Sequence, residues 1–379
     1  MNQLEIFNLS TPWEIYSLTA LLILGVNLLF LFLLKLIFPW QTRRLLRKWD
    51  IQLKSNKFLP LLRKLDILVI NLSGTLTMGK PVVDEIIPIG ISPSRLLTIV
   101  ASVEKDSSHP IAKAILAEAA EQQLTLVENS TVNQVAGKGI EALINRQAVR
   151  VGSATFLEES KISVEASLLT KADQLACKGN LVVFVAIGDY CRGMIILVDK
   201  LKRTSFSSVA FLQAAGINCV LLTSTVRSLA RHYGKQVNLH TIRGGLNALE
   251  KAQALLELKG RYATTGAVAL TMRGESVLHT ADIGIAMSHS EPAVKAMADL
   301  IIHNQDIGCL ATGVDICHTA QDKRRTSIIL ISLYNLLMII TAVFFTSWDP
   351  VPQLAIWTLL ILSVFTGISL LLNQLSLKY

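Results

Sequence analysis

Charged residues are scarce in this 379-residue chain, at 17% against the roughly 25% typical of soluble domains. With 51% of residues hydrophobic, that deficit excludes a wholly soluble protein and points to membrane segments beside a water-exposed part. Negative charge is the scarcer sign, leaving a net charge of +8. The basic excess gathers beside apolar stretches, in RRLLRK (43–48) and DKRR (322–325), and not over the face of a nucleic-acid module. Nucleic acid is excluded as a partner, and the cytoplasmic flank of membrane helices accounts for both clusters. Cysteine pairs are missing too. Cys177, Cys191, Cys219, Cys309 and Cys317 include no two that lie two or three residues apart. That excludes a thiolate zinc knuckle and a redox pair, and reduced thiols facing the cytoplasm are expected. Cys317 beside His318 reads as a chance neighbour. The N-terminus has neither a basic region nor a small-residue cleavage site before its first apolar run, so that run is expected to remain as an anchor.

Three long apolar runs are present. Residues 18–38 cross about 30 Å of hydrocarbon, with Lys35 snorkelling and Trp40 at headgroup depth. Residues 326–348 and 351–372 are joined by a link short enough to force an antiparallel hairpin. The basic flanks set residues 1–17 outside, the head 41–325 in the cytoplasm and the tail 373–379 back inside. Within the head, LDILVI (65–70) reads as a buried strand, and LVVFVAIGDYCRGMIILVDK reads as a hairpin turning at Gly188-Asp189. Helix and strand then alternate through SFSSVAFLQAAG (205–216), INCVLLT (217–223) and ALEKAQALLELK (248–259). This pattern predicts a mostly parallel sheet covered by helices, formed by 41–88 and 193–325 and interrupted by an inserted domain at 89–192.

The strand ILVI opens onto Asn71 and the segment SGTLT. Backbone N–H groups and the hydroxyls of Ser73, Thr75 and Thr77 suit an anion, although a tight strand exit would read the same way.

From Asn71 to Thr77 the loop resembles the Asp-Lys-Thr-Gly-Thr-Leu-Thr signature of P-type cation-transporting ATPases, and the chain as a whole resembles their heavy-metal subgroup. Ser108-His109-Pro110 matches that family's Ser-Glu-His-Pro, whose His helps hold adenine. Gly137-Lys138-Gly139 resembles its Gly-x-Gly beside the nucleotide, and VGSATFL (151–157) resembles its Gly-Asn-x-x-Phe-Leu. Thr223-Ser224-Thr225 stands for Thr-Gly-Asp, and Ala248 to Lys251 stand for Pro-x-Asp-Lys. Residues 269–274 stand for Gly-Asp-Gly-x-Asn-Asp, and TADIGIAM (280–287) is almost unchanged. The resemblance implies an α/β fold with three parts: a haloacid-dehalogenase-like Rossmannoid phosphorylation-type domain, an inserted α+β nucleotide-binding-type domain, and three transmembrane helices.

It also implies an inactive site. The family Asp that takes the phosphoryl group is Asn71, whose amide has no anionic oxygen with which to attack phosphorus. The family Lys is Leu72, and the magnesium carboxylates are Leu270 and Gly274, which offer no oxygen ligand. Asp199 and Asp282 persist at positions whose roles look structural. The transport elements differ as well. Leu28, Leu29 and Phe30 stand near the family's Cys-Pro-Cys, and Leu362 and Phe365 near its last-helix ligands. Asn27 and Asn335 are expected to hydrogen-bond across the helix bundle. The actuator domain expected ahead of residue 18 has only seventeen residues of room.

No catalytic residue and no metal site is therefore expected. The retained candidates for cofactor contact are His109, Gly137, Gly139 and Lys251, with ATP or ADP as the ligand. The competing reading makes His109-Pro110 a helix cap and the glycines a turn. The leading expectation is a catalytically silent scaffold, regulatory or assembly subunit of a membrane complex embedded in the lipid bilayer. The alternatives are a nucleotide sensor and a subunit of a cation-transporting ATPase; a phosphatase using the head alone fails on the same missing carboxylates.

Overall fold

The computed structural model describes residues 12–135, 138–260, 264–345 and 353–375. The chain divides into two compact units, Met1–Arg63 with Thr312–Tyr379, and Lys64–Ala311.

The first unit is built on helices. One continuous helix spans Pro12–Lys48, and it is followed by the short strand β1 (Ile51–Leu53). Helix Gln353–Leu375 approaches it closely at Gly367, where an added Cβ would stand 2.3 Å from the Phe30 ring. Phe30, at a position where the resemblance places a metal ligand, is thus a buried packing residue. Asn27 Nδ2 donates to the Ile23 carbonyl one turn back on its own helix, at 3.0 Å. Among the described residues one segment, Leu21–Lys48, is long and apolar enough to cross a membrane, where three were expected. The run 326–348 enters helix Cys309–Phe345, and 351–372 enters helix Gln353–Leu375. The hairpin link at Asp349-Pro350 lies outside the described residues.

The second unit is α/β. Its chain starts with β2 (Ile67–Ile70) and then leaves for β3 (Val82–Pro88), β4 (Ser130–Val135), β5 (Gly139–Ile144), β6 (Gln147–Gly152), β7 (Asn180–Ile187) and β8 (Tyr190–Val198). It returns through β9 (Asn218–Leu222), β10 (Thr241–Arg243), β11 (Thr265–Ala269), β12 (Ile283–Met287) and β13 (Leu300–Ile302). Within the unit the returning strands pair in parallel around β2, in the order β13-β12-β11-β2-β9-β10. Every residue of β2, β11 and β12 is buried, as befits parallel strands covered on both faces.

The excursion forms an antiparallel sheet ordered β3-β8-β7-β6-β5-β4, whose strands run in the sequence from Val82 to Val198, a wider span than 89–192. Alternation along β7 and β8 sends Val185, Ile195 and Leu197 to one face, where Leu96, Leu97, Val100 and Ile115 of two helices cover them. Phe184, Met194 and Ile196 point the other way and meet Phe156, Leu157 and Leu168. The insertion therefore carries its own two-sided core, as the expected fold class requires.

Candidate functional site

β2 ends at Ile70, and the chain turns through Leu72–Leu76 with Gly74 at φ +74°. The turn is held from below by Asp199, which is only 3% exposed. Thr77 Oγ1 donates to Asp199 Oδ2 at 2.5 Å, Ser73 Oγ at 3.4 Å, and the Lys80 backbone N–H to Oδ1 at 3.3 Å. Burial raises the Asp199 pKa, and these hydrogen bonds pull it part of the way back. Two of the three hydroxyls expected to cradle an anion are thus committed to a carboxylate. The third, Thr75 Oγ1, is buried without a hydrogen-bond partner among the described residues, and so is Asn71 Oδ1.

The upper side of the turn is closed by two residues that the sequence reading missed. Lys202 Nζ, also buried, donates to the Gly74 carbonyl at 2.7 Å and to the Gln305 carbonyl at 3.0 Å. His289 Nε2 stands 3.0 Å from the same Gly74 oxygen, which makes it the protonated ring nitrogen. Burial lowers the pKa of both side chains. The spacing Asp199-x-x-Lys202 was the available signal for one of them; none pointed to the other.

Leu270 completes the enclosure. A Cβ on Gly74 would lie 2.6 Å from Leu270 Cδ1, so the leucine methyl rests directly on the loop glycine. The backbone beyond β11 is pinned there. Glu291 N–H donates to the Leu270 carbonyl at 2.8 Å, and Glu291 Oε2 accepts from Met272 N–H at 2.8 Å. Ser290 Oγ donates to the Ala269 carbonyl at 3.0 Å. Gly274 faces inward as well, since a Cβ there would meet Ala269 Cβ at 2.8 Å.

The nucleotide candidates fall into two groups. His109 is the N-cap of helix Pro110–Glu121, and its Nδ1 accepts from Ile111 N–H at 3.3 Å, which is the capping role. Gly139 pairs across the sheet with Gly152, and a Cβ on it would stand 2.4 Å from the Val151 carbonyl oxygen. Close strand approach therefore requires this glycine whatever else it does. Gly137 lies outside the described residues. Lys251 occupies the first turn of helix Ala248–Lys259, which opens with a capping box between Asn247 and Glu250. Burial, with repulsion from Arg273, brings the Lys251 pKa down to about 8. The same two causes depress His109.

A strand ending in a phosphate-type loop, an insertion after it and a parallel return define the pattern that matches residues 65–268, described as haloacid dehalogenase-like hydrolase. The chain belongs to the haloacid dehalogenase-like hydrolase family. Within it, the chain is homologous to heavy-metal P-type ATPases. It is 28% identical over 278 residues to the copper-exporting P-type ATPase B of Archaeoglobus fulgidus, covering 72% of this chain and 39% of that protein. The chain therefore spans about two fifths of that curated relative. In fold it is like a zinc-transporting PIB-type ATPase in an E2.Pi state, with TM-score 0.63 and 24% identity over 88% of this chain and 53% of the other. It is also like the catalytic domain of the CPx-ATPase CopB-B, with TM-score 0.59 and 23% identity over 72% of this chain and 96% of that domain.

Family members of this kind work with a magnesium ion, and the residues present here do not fit one. Magnesium demands oxygen ligands near 2.1 Å in an octahedral shell. The side chain lying on the loop is an isobutyl group, and Gly274 contributes no side chain at all. Among the described residues no three His, Cys, Asp or Glu side chains group as a metal cage.

Proposed function

We propose that this chain is a catalytically silent, membrane-anchored relative of the P-type ATPases that serves as a scaffold, regulatory or assembly subunit of a membrane complex. The observation that carries this reading is the Leu270 methyl seated on Gly74, in a loop that begins with Asn71. Phosphoryl transfer by this fold depends on positioning and on compensating developing negative charge. Here an amide replaces the nucleophile and hydrocarbon replaces the metal. Lys202 and His289, two of the polar side chains that reach the loop, are spent on the Gly74 carbonyl. The loop is fastened from both sides and keeps its shape without a reaction to perform.

The membrane part follows the same reading. Three spans, at 18–38, 326–348 and 351–372, place residues 1–17 outside and the head, with the tail 373–379, in the cytoplasm. Segments 41–88 and 193–325 form the phosphorylation-type domain around the insertion at 89–192. Arg44 stacks on Trp40 at 5.6 Å, and Arg324 on Phe38 at 5.0 Å, in keeping with basic side chains at a cytoplasmic headgroup boundary.

Affinity capture of the intact protein from gently solubilised membranes is expected to recover a membrane partner in stoichiometric amount. Recovery of the chain alone across several mild detergents would contradict the subunit reading.

A further inference from the structure

The insertion is joined to the parallel sheet by two chain passes that run side by side. Met78 N–H donates to the Lys200 carbonyl at 2.9 Å, Lys202 N–H donates to the Leu76 carbonyl at 2.9 Å, and Thr77 bridges Leu201 in antiparallel sense. A ribbon of two short passes is a weak joint on its own. A third contact stiffens it. Tyr233, in helix Arg227–Gln236 of the parallel-sheet half, is buried and turns its hydroxyl to two main-chain oxygens. One is the Asp199 carbonyl at the root of the returning pass, 2.8 Å away. The other, at 2.9 Å, is the Gly179 carbonyl, between helix Ala166–Cys177 of the insertion and β7. Gly179 permits this approach. Its φ is +101°, and an added Cβ would stand 2.8 Å from His232 Nε2, so the insertion's main chain lies directly on the neighbouring ring. His232 in turn meets Tyr233 edge-on, with centroids 5.4 Å apart, and the two helices pack together.

We propose that Tyr233 is a latch that holds the insertion at one angle to the parallel-sheet half of the head. Each half has a core of its own, Phe184 and Met194 with Leu168 in the insertion, and Val69 and Val220 with Leu255 in the parallel sheet. Tyr233 lies where the two halves meet. Its hydroxyl has one hydrogen to share between two acceptors, one on each side of the joint. Burial and the Asp199 charge push its pKa up to about 12, so it stays a neutral donor. Turning the insertion away parts the two helices, exposes the Tyr233 ring to water and gives up the Gly179 side of the shared bond. A head held in this way presents one fixed surface. The inference goes beyond the subunit reading, since a silent head that swings freely would leave that reading standing.

The test uses the full-length chain in detergent and two readouts. With Cys177→Ser and Cys191→Ser removing the accessible thiols, spin labels on Gln147→Cys in the insertion and Gln253→Cys in the parallel-sheet half, both exposed positions, report the distance between the halves. One narrow distance is expected. Hydrogen exchange then compares wild type with Tyr233→Phe, which removes the hydroxyl and keeps the ring. The Met78 and Lys202 amides of the ribbon should exchange about tenfold faster, the shift expected when one buried hydrogen bond is lost, while amides of β6 and β11 keep their wild-type rates. Several distances in the labelled chain would overturn the latch, and so would unchanged exchange at the ribbon in Tyr233→Phe. Equal acceleration in the ribbon, β6 and β11 would overturn it as well, because it would make Tyr233 a general packing residue.

Discussion

Replacing Asp199 with alanine is expected to cost the head about 3 kcal/mol at neutral pH, because a buried acceptor is removed while its donors stay behind. Thr77 Oγ1, Ser73 Oγ and the Lys80 N–H would all lose their common partner. Lys202, whose charge Asp199 helps to sustain, would be left over the loop with less compensation. For a domain of this size the thermal midpoint should fall by roughly 6–12 °C. The pH dependence has a definite sign. Burial raises the Asp199 pKa, so the folded state favours its protonated form. Its contribution is fullest below the ordinary carboxylate value and falls as pH rises through the raised one; the alanine variant should lack that slope. Asp199→Asn, which keeps one acceptor oxygen, should recover about half of the loss. A midpoint unchanged in Asp199→Ala would mean that the carboxylate does not hold the loop.

The second prediction has the opposite sign. Lys251→Met is expected to stabilise the head at pH 7 on the order of 2 kcal/mol, or roughly 4–8 °C in midpoint. Wild type carries there a half-buried ammonium repelled by Arg273, with its pKa brought down to about 8. A depressed amine contributes its full share of stability above the unfolded value and loses it as pH falls through the folded one. The advantage of the methionine variant should therefore shrink from pH 7 upward and vanish once Lys251 is neutral in both states. Thermal melts at pH 7 and pH 10 decide the matter. A variant less stable than wild type at pH 7 would show that Lys251 has a partner and is no candidate for anion binding. Substitutions that stabilise mark residues kept for something other than the fold.

Much of the architecture was legible because it rests on local signals. The uninterrupted ILVI became the central parallel strand, and Gly188-Asp189 became the turn between β7 and β8, whose strands begin one residue before the expected hairpin and end two residues short of its close. The inserted sheet was readable as an interruption but not at its edges. Val82–Pro88 pairs with Gly193–Val198 across more than a hundred residues, and no local pattern announces such a pairing. The site was half legible. Asn71, Leu270 and Gly274 were recognisable as departures from a motif. What those departures are packed against was not. Lys202 and His289 meet at the Gly74 carbonyl from 128 and 215 residues away. The hydroxyl-rich loop invited an anion, yet Ser73 and Thr77 turn to a carboxylate that folding brings beneath them. Asn27 shows the reverse case, a polar residue in an apolar helix satisfied one turn back on its own chain.

The claim on which the functional reading depends is that this head does not take a phosphoryl group from ATP. Incubation of the purified full-length chain with γ-labelled ATP, with magnesium and with zinc or copper ions present, followed by acid quenching, tests it directly. The account predicts no hydroxylamine-sensitive label on the polypeptide, whether residue 71 is asparagine or is restored by Asn71→Asp, because Leu270 still covers the loop. A labelled acyl phosphate on the wild-type chain would contradict it.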